Sequence, residues 1–130
     1  MKIRVYYEDT DLGGVVYHSN YLNFCERARS ELFFSRGLSP VSEEGHFVAK
    51  HIDADYFKSA RLGDVLDVRT TLVEMKSVSF TLLQEIYRDT ELIYRQSIVL
   101  VHLGFDGKMK KIGNSEKVFF ETIGPAGTGD

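Results

Sequence analysis

The sequence predicts an α+β fold, one long helix packed on one face of an antiparallel sheet. Three observations carry this. Residues 19–36 hold a helical period with one apolar half, residues 2–8 alternate as a strand, and the chain beyond Gly45 is a succession of strand-like runs separated by short turns. Consecutive strands joined by short links favour an antiparallel meander.

In order, "KIRVYYE" (2–8) alternates as a first strand. The helix follows over residues 19–36 and stops at Gly37, a C-cap residue type. At about 100° per residue, Tyr21, Leu22, Phe24, Cys25, Ala28, Leu32 and Phe33 share one half of the helical wheel, with Glu26, Arg27 and Ser30 opposite. A stripe that wide suits a sheet curling round the helix. Phe34 falls outside it and suits a subunit contact. Four strands are expected from "FVAKHIDADYF" (47–57), "DVLDVRTTLVEM" (64–75), "SFTLLQEIYR" (79–88) and "LIYRQSIVLVHLGF" (92–105). Asp106-Gly107 signals a hairpin that returns the chain through "KMKKIG". The last strand is apolar on both faces, so a domain with a single helix needs a second cover, and self-association supplies it. The domain is expected to span residues 1–123, with 124–130, "GPAGTGD", a flexible tail.

Composition excludes several function classes. The chain has 130 residues, and 16 Lys and Arg stand against 19 Asp and Glu, a net −3 with no basic tract, so no nucleic-acid partner is expected. There is no apolar run of about 18 residues, so no transmembrane segment is expected. "MKIRVYYEDT" lacks the apolar stretch of an export signal. A lone cysteine, Cys25, forms no internal disulfide and fits a reducing, cytoplasmic compartment.

Residues 9–20, "DTDLGGVVYHSN", combine features that a plain loop does not need. Val15 and Val16 should enter the interior and deliver Tyr17-His18 to the helix start. Gly13-Gly14 admits unusual backbone conformations and close ligand approach. Asp11 precedes this hinge, and the first helix amides have no intrahelical acceptor. Together these are two halves of an acyl-transfer site: a carboxylate base or nucleophile, and amide donors for a developing oxyanion. The bland alternative makes Asp11 a turn residue accepting backbone amides.

The stretch "YEDTDLGGVVYHSNYLNFCERARSE" (7–31), with the loop "YFKSARLGD" (56–64), resembles the signature of the YbgC-type acyl-CoA thioesterases associated with the Tol–Pal system. These belong to the hotdog-fold superfamily, alongside 4-hydroxybenzoyl-CoA thioesterase. The resemblance implies a hotdog fold, five or six antiparallel strands wrapped around the central helix. It implies a hydrolase of lipid metabolism that splits acyl-CoA, or acyl carrier protein thioesters, into free acid and thiol. No cofactor and no metal is implied, coenzyme A being part of the substrate. Asp11 becomes the catalytic carboxylate, and the His18 amide polarises the thioester carbonyl. Leu12, Ser19, Asn23 and Cys25 depart from the family's pattern. A homo-oligomer, a dimer of dimers, is implied as well.

The remaining candidates are weaker. Lys58, Arg61 and Lys76 are expected to meet the phosphates of coenzyme A, and Tyr17 and Tyr21 to form walls of the site. Asp9 is read as a cap or ion-pair residue and Asn20 as support for the helix start. Cys25, on the apolar face, is read as core. His46, His51 and His102 have no metal-ligand spacing. Two competing functions are a hotdog dehydratase or hydratase, which wants a helix carboxylate, and a non-catalytic acyl-CoA-binding module. Glu26 and Glu31 lie off the centre of the apolar face, against the former.

Overall fold

In the computed structural model, described over residues 1–123, the helix α1 (Asn20–Phe34) lies against a six-stranded antiparallel sheet. Its sequence, NYLNFCERARSELFF, contains no glycine, proline or β-branched residue, so nothing local opposes helix formation. It ends in a Schellman arrangement. Gly37 takes φ +71°, its amide donates to Phe34 O at 3.0 Å, and Leu38 N donates to Phe33 O at 2.9 Å. Tyr21, Phe24, Cys25, Ala28 and Phe33 are buried and Phe34 is 54% exposed, as the helical wheel predicts.

The strands are β1 (Lys2–Arg4), β2 (Val41–Ser42), β3 (Gly45–Tyr56), β4 (Val65–Met75), β5 (Ser79–Arg88) and β6 (Glu91–Leu103). Their order in the sheet is β1-β4-β5-β6-β3-β2. Only β4-β5-β6 is a meander. The expected unbroken succession of hairpins fails at one place, since β3 pairs with β6 and not with β4. The connection between them, residues 57–64, crosses instead to the far side of the sheet and closes over the start of α1. There Phe57 N donates to Ile93 O, Val16 N to Ala60 O and Val5 N to Asp64 O, each at 2.8–2.9 Å.

Two further differences have local causes. The first strand stops at Arg4, and Tyr7–Asp9 forms a 3-10 turn. The Asp9 carboxylate draws the chain out of extended geometry by accepting the Tyr6 amide at 2.8 Å. "KMKKIG" returns as expected but makes only a single bridge, Leu103 with Met109, and leads into a second helix, α2 (Asn114–Glu121). Eight residues are too few to show a helical period in sequence. Phe119 and Phe120 nevertheless bury themselves against Phe33, Phe47 and Phe80. The expected tail, 124–130, lies outside the described residues.

Inside the sheet the buried side chains form rows across β4, β5 and β6. Val68, Ile86 and Tyr94 make one apolar row; Leu72, Leu82 and Ile98 make another. Between them runs a polar row, Thr70, Gln84 and Gln96. Gln84 Nε2 donates to Cys25 O at 2.9 Å and to Thr70 Oγ1 at 3.1 Å. Its Oε1 accepts from Arg29 Nη1 at 2.9 Å and Gln96 Nε2 at 3.2 Å, and Tyr94 OH donates to Gln96 Oε1 at 2.7 Å. This network satisfies the buried amides and divides the core into two clusters, one at each end of α1. Among the described residues no helix is long and apolar enough to cross a membrane.

Candidate active site

The segment before α1 is a tight hairpin. Thr10 bridges Val16, Asp11 N donates to Val15 O at 2.9 Å, and Gly14 N returns to Asp11 O at 3.0 Å. Gly14 sits at φ +77° in open space, so glycine is needed there for conformation and not for room. The geometry is that of a three-residue hairpin loop whose last residue is left-handed. The valines serve as predicted, though unequally. Val16 is buried in the cluster at the start of α1, and Val15 is half-buried and bridges Arg61.

Asp11 is exposed, and its Oδ1 accepts the Gly13 amide at 2.8 Å. That is the turn contact foreseen as the bland reading. It occupies one oxygen only; Oδ2 meets no donor among the described residues. Asp11 lines an open cleft of about 320 Å³ with Tyr17, His18, Tyr21, Tyr56, Phe57 and Lys58. The His18 amide donates to none of the described residues, while its carbonyl accepts the Tyr56 hydroxyl at 2.9 Å. One bond thus fixes the peptide at the head of α1 and leaves the preceding N–H available to a ligand. The cleft is therefore lined by an ionisable side chain, a residue whose main-chain N–H is unengaged, an aromatic wall and one cation.

Around it the structural readings hold. Asp9, 3% exposed, accepts Asn20 Nδ2 at 2.6 Å as well as the Tyr6 amide, clamping the loop to the helix start. Tyr21 is buried, accepts the Ala60 amide at 3.1 Å and stacks on Tyr94 at 5.0 Å. Burial holds its phenol above the ordinary range, so it stays neutral as a wall. Cys25 is fully buried, which pushes its thiol up to about 12.

Of the seven residues predicted for the site, Asp11, Tyr17, His18, Tyr21 and Lys58 line this cleft. Arg61 lies at its border through the bridge to Val15. Lys76 does not join them. It sits by the β4–β5 turn in another cavity with Lys50 and His51, paired to Glu74 at 3.3 Å. Tyr56 was missed, although its place two residues before Lys58 at a strand end was a usable signal.

The chain is similar to known proteins in sequence and in fold. The sequence profile of the thioesterase superfamily matches residues 13–94. Acyl-CoA thioesterase YbgC of Helicobacter pylori is 58% identical over 87 residues, 67% of this chain and 65% of the relative, so the match spans just under two thirds of that protein's length. Acyl-CoA thioesterase YbgC of Haemophilus influenzae is 38% identical over 120 residues, covering 89% of this chain and 88% of the relative. Among solved structures, a probable thioesterase from Bartonella henselae superposes with a TM-score of 0.82 at 27% identity, over 87% of this chain and 97% of that one. A 1,4-dihydroxy-2-naphthoyl-CoA thioesterase from Synechocystis shares the fold at a TM-score of 0.85 and 24% identity, over 92% and 93% of the two chains. With a curled six-stranded sheet around α1 and these matches across most of its length, the chain belongs to the thioesterase superfamily and groups there with the YbgC acyl-CoA thioesterases.

Proposed function

We propose that this protein is a thioester hydrolase that splits acyl-CoA into a free carboxylic acid and coenzyme A. The observation that carries the reading is the pairing in one cleft of Asp11, whose Oδ2 is unengaged, with the unengaged His18 amide. The thioester carbonyl lies against that amide, and Asp11 either attacks its carbon or takes a proton from the water that does. The oxyanion draws on the N–H and the helix dipole, and the thiolate departs and takes up a proton. Where Asp11 is the nucleophile, water then hydrolyses the acyl–aspartyl anhydride, releasing the acid and restoring the carboxylate. The names of the YbgC relatives support acyl-CoA as substrate. Coenzyme A enters as substrate and the reaction needs no cofactor. Acyl carrier protein is the second thiol carrier to assay.

A homo-oligomer belongs to the same proposal. β2 pairs only with Gly45 and His46, so from residue 47 to 56 one edge of β3 has no partner among the described residues, and Ile52 and Tyr56 are exposed along it. An unprotected edge of that length suits pairing with a second copy. Lys58 and Arg61 take the phosphates of coenzyme A in this reading, and Lys76 joins them only from such an assembly. The protein is placed in the cytoplasm, where coenzyme A thioesters are made.

The test is thiol release from a panel of acyl-CoA esters, from acetyl to palmitoyl and including an aromatic acyl group. Turnover of at least one class is expected. Tight acyl-CoA binding with no thiol released by any of them overturns the hydrolase reading in favour of a binding module.

A further inference from the structure

A second cavity lies at the other end of α1. It measures about 230 Å³, between α1, α2 and the inner sheet face, with Phe33, Phe80, Leu82, Leu100 and Phe120 among its walls. One end is polar. Arg29 lines it half-buried, and of its five N–H donors a single one is engaged, Nη1 on the neutral amide oxygen of Gln84 at 2.9 Å. Arg29 makes no ion pair with any described residue. Glu26 also lines the cavity, but its Oε1 accepts the Ser30 hydroxyl at 3.0 Å. Burial lowers the Arg29 pKa and the nearby charge of Glu26 offsets this only in part; the guanidinium remains charged.

We infer that this cavity binds an unbranched carboxylate amphiphile, with its hydrocarbon tail among the phenylalanines and leucines and its carboxylate on the Arg29 fork. A planar guanidinium with free parallel donors matches a carboxylate bidentately. An apolar cavity of roughly 150 Å³ takes the six carbons of benzene, so this one takes about nine. The choice of a monocarboxylate rests on the proposed reaction, whose acid product is of this class; the cavity and Arg29 do not. Along the rise of α1 Arg29 lies about 14 Å and Phe33 about 20 Å from the helix start at Asn20, so within one chain an acid held there leaves the Asp11 cleft open.

Isothermal titration with sodium nonanoate and with 1-nonanol tests this. One nonanoate per chain is expected. Arg29→Met should weaken nonanoate at least tenfold and nonanol less than twofold, Leu100→Phe should weaken both, and Asp11→Asn should change neither. Because Arg29 also supports Gln84, a chain-length series on the unaltered protein gives a second readout: affinity should rise from hexanoate to nonanoate and fall by dodecanoate. Absence of saturable binding, equal losses for acid and alcohol in Arg29→Met, affinity unmoved by Leu100→Phe, or affinity rising steadily with chain length each overturns the inference. A severalfold change of acid affinity in Asp11→Asn, above all the gain that removing a like charge would give, would put the acid in the cleft and overturn it while sparing the proposed reaction. Intact nonanoate binding in a protein that turns over no acyl-CoA would overturn only the reaction.

Discussion

Asp11→Asn keeps the shape of the hairpin loop and removes its charge. The asparagine carbonyl can still accept the Gly13 amide that Asp11 Oδ1 accepts at 2.8 Å, and the position is exposed, so stability should shift by less than about 0.5 kcal/mol. Chemistry should suffer far more. Loss of a positioned base costs about 10²- to 10⁴-fold in rate, or roughly 3–5 kcal/mol in barrier. Asp11→Ala loses the turn bond too and should cost a further ~1 kcal/mol in stability. The assay follows thiol release from the best acyl-CoA substrate at saturation, beside urea unfolding of the same preparations. If Asp11→Asn retains more than about a tenth of kcat, Asp11 holds the loop and nothing else. If its activity falls only in step with its stability, the same conclusion follows.

Phe120→Ala should cost about 3–5 kcal/mol in urea unfolding, since Phe120 is 1% exposed amid Phe33, Phe47 and Phe80; a loss below 1 kcal/mol would mean that α2 does not belong to the core. With its thiol pushed up to about 12, Cys25 should resist Ellman's reagent at pH 8 until the protein is unfolded, and fast labelling of native protein would contradict its burial. Burial pushes the Asp67 carboxyl up, but hydrogen bonding to Arg69, the N-terminal ammonium and the charge of Lys2 together outweigh it and the net pKa is lowered. A lowered folded-state pKa gives stability that is present above the ordinary carboxylate range and lost as pH falls through the folded value. The stability gap between the unaltered protein and Asp67→Asn should therefore be constant above about pH 5 and close below about pH 4; a gap that persists at pH 2 would refute the assignment.

Much of this was legible in the sequence because it is periodic or carried by residue type. The apolar half of α1, the four long strands and the Asp106-Gly107 turn all announce themselves, and their bounds differ from the structure by few residues. The meeting of Asp11 with His18 was legible because Val16 and Gly14 each admit few alternatives. What failed were facts of long range. Nothing local tells β3 to pair with β6 in preference to β4, and nothing in "NSEKVFFE" announces that Phe120 will stack on Phe80 at 4.1 Å. Nothing local marks Arg29 either, since its contact is with Gln84, 55 residues on in the sheet. Asp9 outranked strand propensity at Tyr7 because its carboxylate finds both Tyr6 and Asn20.

The polar row has a consequence for how the sheet finds its alignment. Sliding one strand past another by two residues keeps every side chain on its own face, so an all-apolar interior would tolerate the error. Here such a slip sets Gln84 opposite Leu72 or Val68 on β4, or opposite Ile98 or Tyr94 on β6. Each stranded amide then costs about 1–3 kcal/mol with no water to relieve it. Thr70, Gln84 and Gln96 thus act as a three-part key: greasy neighbours supply the adhesion, and three polar side chains decide where it may set.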